Sequence, residues 1–229
     1  MPWYPLVRLI PRVVASIAAS EFPLMYQLAE WIAVMASGIY GMLLARQHQM
    51  DFIGVFSVGF IVAFGGGTLR DLFLNRHPLF WIQHEHYPVV VFAIAVAFSL
   101  VPRIPRWAER ALTVSDALGL GLYSVVGATI ALEVGTSHFI AAMFGVITGT
   151  FGGVIGDVVC NRVPSLFTSA PFFATCAFVG SWLLFLMDAW GVDRALSFPL
   201  AVGFIVLSRL ASLHFDWRMR TLEFEDPGE

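Results

Sequence analysis

Apolar runs of about 20 residues, separated by short polar segments, divide this chain into seven candidate spans. They fall at about 24–45, from 52 to a polar close at 75–78, 88–101, 115–133, from 138 to a second polar close at 161–164, 170–187 and 196–213. Runs of that length predict helices, because the strands of a membrane barrel would alternate apolar and polar positions over about ten residues. The expectation is an all-α, polytopic membrane protein.

Two of the spans are interrupted. The second meets Gly65, Gly66 and Gly67, continues at once into Thr68, Arg70 and Asp71, and closes on Asn75, Arg76, His77 and Pro78. Glycines relax the backbone, and lipid penalises the two charges. The string returns 86 positions later as Gly152, Gly153, Gly156 and Asp157, closing on Asn161, Arg162 and Pro164. At the same offset Asp116 matches Glu30, Gly127 matches Gly41 and Gly145 matches Gly59. Spans one to three are thus copied as four to six, and the seventh has no counterpart.

A unit with an odd number of spans places its copy in the opposite sense across the bilayer. The expected plan is seven transmembrane helices, arranged as two inverted three-helix repeats plus one extra helix, with the second and fifth kinked or broken at their glycines. The corresponding divisions are an N-terminal interfacial extension (1–23), the first repeat (24–110), the second repeat (111–190), the seventh helix (191–214) and a cytoplasmic tail (215–229). Arg8 and Arg12 stand before an apolar stretch broken by prolines 2, 5 and 11, which suits an interfacial segment better than a cleaved signal.

Composition agrees. Of 229 residues 58% are hydrophobic and 13% charged, and the mean hydropathy is +0.78, beyond the range of soluble domains. Every basic residue except the six histidines is an arginine, so no lysine is available for a Schiff base or a pore charge. Arg46, the Arg103, Arg106 and Arg110 group, Arg162, Arg218 and Arg220 fall on one side, and Arg8, Arg12, Arg76 and Arg194 on the other. The arginine-rich side is expected in the cytoplasm, with the N-terminus outside and the C-terminus inside.

The candidate path residues are Gly65, Gly66, Gly67, Thr68, Arg70, Asp71, Gly152, Gly153, Asp157 and Arg162. A helix broken in hydrocarbon is tolerated against protein or a wet cavity, and paired breaks point to one central site. The alternative is that the glycines simply permit close helix crossing. Asp71 and Asp157 either draw cations or a substrate ammonium into the path or pair with neighbouring arginines. Each stands four residues before an Asn, the spacing of one helix face. Arg70 is matched by Gly156, so the two halves differ.

Other positions carry weaker signals. His84, Glu85 and His86 are ligand types at a spacing too loose for a metal centre. Glu30, Asp116, Glu133 and Asp188 read as wetted or capping acids at helix ends. Trp31, Trp81, Trp107, Trp182 and Trp217 read as an interfacial belt. Cys160 and Cys176 give no disulfide framework. No phosphate loop, nucleophile constellation, zinc motif or cofactor signature is present, and neither an enzyme nor a nucleic-acid partner is indicated.

Through the segments 65–71 and 152–157, the duplicated unit and the seventh span, the chain resembles the bacterial relatives of the trimeric intracellular cation channels, whose domain is also described as a glycine transporter. The resemblance covers about residues 24–213. It implies a homotrimer in the bacterial inner membrane, with a path inside each subunit between kinked second and fifth helices, and passive flow of potassium or another monovalent cation. The alternative is a carrier of glycine or a similar small neutral amino acid. The basic pore residues of animal members include a lysine that this chain lacks, and Phe151 stands where a third glycine of the second motif would fall.

Overall fold

The computed structural model describes residues 23–101, 108–168 and 171–218. The proposed interfacial extension up to residue 22, Arg103, Arg106, Trp107, Arg220 and the acidic end of the tail lie outside the described residues. Among the described residues seven helices form the body: α1 (Pro23–Gln47), α2 (Phe52–Phe73), α3 (His86–Leu100), α4 (Ala108–Glu133), α5 (His138–Val159), α6 (Ala174–Ala189) and α7 (Arg194–His214). A single helical turn, Phe80–Gln83, precedes α3, and a 3₁₀ turn, Ser165–Phe167, follows α5.

Helices α1, α2, α4, α5 and α7 are long and apolar enough to cross a membrane. The third helix of each repeat is shorter, 15 residues in α3 and 16 in α6, which is about 22–24 Å against a hydrocarbon core of about 30 Å. Many large apolar side chains, among them Leu72, Phe73, Val89, Leu200 and Leu207, face outward, as a lipid-facing exterior requires.

The four central helices pack pairwise: α1 on α2, α4 on α5, α1 on α4 and α2 on α5. Helices α3 and α6 flank them, and α7 packs on α4 and α6. The two repeats run in opposite senses. One cavity is lined by Gln27 and Glu30 from the start of α1 and by Ile130 and Glu133 from the end of α4, so these helices are antiparallel.

The matching positions of the repeats do matching work. Asp51 and Ser137 cap α2 and α5 by accepting the amides of Gly54 and Ile140. A Cβ on Gly41 would lie 2.8 Å from the Val58 carbonyl, and one on Gly127 would lie 3.0 Å from that of Phe144. At the centre the arrangement is reciprocal: Gly66 meets the Thr148 carbonyl, and Gly152 meets that of Val62. No Cβ could occupy either site, so the glycines let two backbones touch.

Of the kink or break expected at these glycines, the break is absent. Both α2 and α5 run as continuous α-helices through 65–67 and 152–153. Their carbonyls stay within helical hydrogen bonds, which apolar surroundings enforce wherever no water replaces them. The shared helix face expected for Asp and Asn is also corrected. Asn75 and Asn161 lie beyond the helices at φ 52° and 55°, and they end them in matched Schellman turns. The following amides, of Arg76 and Arg162, reach back to the carbonyls of Asp71 and Asp157 at 2.8 Å each.

Candidate functional site

Two polar cavities lie at successive levels of the same helices. The first, about 230 Å³, is lined by Gln27, Glu30, Arg70, Arg76, His84 and Glu133, among others. The second, about 20 Å³, is lined by Ser37, Tyr40, Asp116, Tyr123, Thr148 and the glycines 149, 152 and 153. Along α4 they are separated by one turn, from Tyr123 to Val126, about 4.5 Å. The Tyr123 hydroxyl donates to the Ala63 carbonyl between them.

At the base of the larger cavity Arg70 is fully buried. Its Nε donates to Asp71 Oδ1 at 2.8 Å, its Nη2 lies 3.9 Å from Glu30, and its guanidinium stands 5.3 Å from the centre of the Phe80 ring. Nη1 and Nη2 have no hydrogen-bond partner among the described residues. Glu30 also accepts from the Tyr87 hydroxyl at 3.4 Å. Asp71, equally buried, accepts the Phe80 amide on Oδ2 at 2.9 Å and lies 3.5 Å from Arg76. Thus Asp71 ties the end of α2 both to its own arginine and to the turn that leads into α3. Gly67 leaves space that the Phe80 ring occupies, and Thr68 accepts from the Trp81 indole at 3.0 Å.

The second half replaces this arrangement. Asp157 keeps the loop contact, accepting the Ser165 amide on Oδ2 at 3.2 Å, but no arginine bonds it, and its Oδ1 has no partner among the described residues. Arg162 is exposed. The arginine of this half comes from α7. Arg209 donates to Asp116 from Nε and Nη2 at 3.1 and 3.0 Å and to the carbonyls of Pro171 and Phe172 from Nη1 at 3.0 Å each, and it stands 4.5 Å from the Phe173 ring centre. An acid on the first helix of each repeat therefore meets a buried arginine over a phenylalanine, Glu30 with Arg70 and Asp116 with Arg209.

The structure thus places Arg70 at the larger cavity, with Asp71 bonded to it and Thr68 bonded to Trp81, and brings Gly65, Gly66 and Gly152 to the crossing of α2 and α5, while Gly67 faces Phe80 and Gly153 lines the smaller cavity. The side chains of Asp157 and Arg162 make no mutual bond among the described residues, although the Arg162 amide donates to the Asp157 carbonyl. Glu30 and Asp116, expected as wetted or capping acids, line the cavities and are largely buried partners of Arg70 and Arg209, α4 beginning at Ala108 and carrying Asp116 inward. Asp188 is held by Arg194 at 2.6 Å and by Ser197. The Trp81 indole donates to Thr68, and Trp31 stacks on His86 with ring centres 5.0 Å apart. His84 and His86 join this aromatic cluster, their rings 5.5 Å apart. Both cysteines are free and buried. Arg209 was missed, although a lone arginine in an apolar span is itself a signal.

A family model described as glycine transporter matches the chain twice, over residues 27–103 and 113–189, the starts differing by the repeat offset. A UPF0126 membrane protein of Vibrio cholerae is 32% identical over 217 residues, which covers 94% of this chain and 90% of its own. The UPF0126 inner membrane protein YadS of Escherichia coli K12 is 28% identical, covering 88% of this chain and 99% of its own. Among solved structures, the TRIC trimeric intracellular cation channel orthologue from Rhodobacter sphaeroides is similar with a TM-score of 0.79 at 33% identity, over 84% of this chain and 99% of its own. A second TRIC structure, concerned with conductance through TRIC cation channels, also gives 0.79, at 28% identity over 87% and 98%.

Proposed function

The chain belongs to the family of UPF0126 membrane proteins and TRIC cation channels, which is not an enzyme family, and on that premise we propose that it is a passive channel for monovalent cations, chiefly potassium. The observation that carries the proposal is the pair of polar cavities, set one above the other and separated by a single turn of α4. They are the two ends of one path inside each subunit, in a closed state. Opening separates the Tyr123 hydroxyl from Ala63 and bends α2 and α5 at their glycines, the positions with least side-chain restraint. Seven spans, a homotrimer in the bacterial inner membrane, an outer N-terminus and a cytoplasmic C-terminus complete the proposal; the arginine distribution and the trimeric relatives support it.

Purified protein in a planar bilayer tests it. Unitary currents carried by potassium are expected, and an intact oligomer that passes no current at any voltage refutes the channel.

One observation favours a second reading, a carrier of glycine or another small neutral amino acid. Arg70 presents two guanidinium nitrogens without a hydrogen-bond partner beside Glu30 at the larger cavity, which suits a carboxylate and an ammonium on one small molecule. Saturable, competitor-sensitive uptake of labelled glycine into vesicles would establish the carrier, and uptake linear in concentration would dismiss it.

A further inference from the structure

Among the described residues Arg70 is the largest fully buried side chain, and neither Nη1 nor Nη2 has a hydrogen-bond partner. Asp71 takes only Nε, at 2.8 Å. Nη2 and Glu30 Oε1 stand 3.9 Å apart, too far for a hydrogen bond. A guanidinium fork left open in a dry place is costly, and its two nitrogens match the two oxygens of one carboxylate.

The larger cavity meets this fork. Arg70 and Glu30 stand in one lining with Thr129, whose hydroxyl also lacks a partner among the described residues. A lone anion on Arg70 would face the Glu30 carboxylate, and a lone cation on Glu30 would face the guanidinium. A molecule that carries both charges escapes both repulsions. Its two charged groups must lie close together, because Nη2 and Glu30 do, and an α-amino acid bears its carboxylate and its ammonium on the same carbon.

The wall formed by Phe80, Val126 and Ile130 is apolar. A volume of about 230 Å³, at roughly 30 Å³ for each water in the liquid, holds about seven or eight atoms of ligand. Glycine leaves the apolar wall unmet, whereas valine covers it and fills the space.

We infer that the larger cavity binds an α-amino acid with a short aliphatic side chain, of alanine to valine size, in preference to glycine. Its carboxylate accepts from Arg70 Nη1 and Nη2, its ammonium donates to Glu30, and its side chain lies against Val126 and Ile130. The site rests on the second reading of this cavity for the class of ligand, and it holds whether the molecule is carried across or only bound.

Equilibrium binding of labelled valine to the purified full chain tests the site. Saturable binding is expected, with alanine and then glycine displacing it less well, by about fourfold for each carbon removed. N-acetylvaline, without the ammonium, and valinamide, without the carboxylate, should each displace it about tenfold less well or worse. Glu30→Gln should weaken binding by a similar factor, and Ile130→Phe, which narrows the apolar wall, should reverse the order of valine and glycine. No saturable binding, full displacement by either analogue, glycine bound more tightly than valine, equal binding by Glu30→Gln or an unchanged order in Ile130→Phe each overturns the site. The analogues act on the native protein, so they decide even where a variant does not assemble. Vesicle uptake recorded in parallel separates the two claims. Binding as expected without uptake refutes the carrier and leaves the site. Saturable uptake of glycine by a protein that does not bind valine refutes the site and leaves the carrier.

Discussion

Arg209 on α7 bonds Asp116 on α4 through two guanidinium nitrogens, and in doing so it completes a repeat to which it does not belong. Both side chains are largely buried, 8% and 13% exposed. Breaking a buried pair leaves an uncompensated charge, whereas replacing both partners with apolar groups is far gentler. Arg209→Met should therefore lower stability by about 3–5 kcal/mol. Adding Asp116→Leu should recover most of that loss, though not the part due to the Pro171 and Phe172 carbonyls. Thermal unfolding of the purified single and double variants checks both.

At the central crossing the reciprocal glycine contacts predict matched effects. Gly66→Ala and Gly152→Ala each force a methyl into a backbone carbonyl, and each should destabilise by about 1–3 kcal/mol. Gly203 has nothing within 4 Å of a built Cβ, so Gly203→Ala should leave the melting temperature unchanged. Equal melting temperatures for all three variants would contradict the crossing.

The two asparagines terminate their helices in the left-handed region, where a β-branched side chain is strained. Asn75→Val and Asn161→Val should each cost about 1–2 kcal/mol, while the glycine variants should fold as well as the native chain. Denaturation curves of the four variants distinguish these outcomes.

Asp71 and Asp157 should not be interchangeable. Asp71→Asn takes the nearest negative charge from the fully buried Arg70, leaving it only Glu30 at 3.9 Å, and should cost about 3 kcal/mol. Asp157→Asn retains an acceptor for the Ser165 amide and strands no arginine, so about 1 kcal/mol is expected. Thermal unfolding of the two purified variants distinguishes these outcomes.

Much of this architecture was legible in the sequence. The helices, the duplicated unit and the antiparallel sense of α1 and α4 follow from hydropathy and from the offset between Asp71 and Asp157. The glycine strings were legible as special positions, but their meaning was divided between a break and a crossing. What decides is the partner, Thr148 for Gly66 and Val62 for Gly152, and a partner in space leaves no mark at a fixed spacing along the chain. Glu30 and Asp116 were misjudged for a similar reason, since proximity to a helix end says nothing about whether an arginine from another helix comes to meet it. Arg209 was hidden by the repeat, which drew attention to what recurs and away from the helix that does not.

The origin of that arginine bears on how the protein is made. Arg70 lies in the same repeat as Glu30, so the first repeat holds both members of its own pair. Asp116 follows in α4 with its partner 93 residues further on, in the last of the described helices to leave the ribosome. The second half therefore enters the membrane carrying an acid that nothing yet balances, and it settles only when the C-terminal helix has been delivered. A chain cut short before α7 would lack more than a flanking helix: its second repeat would remain unfinished.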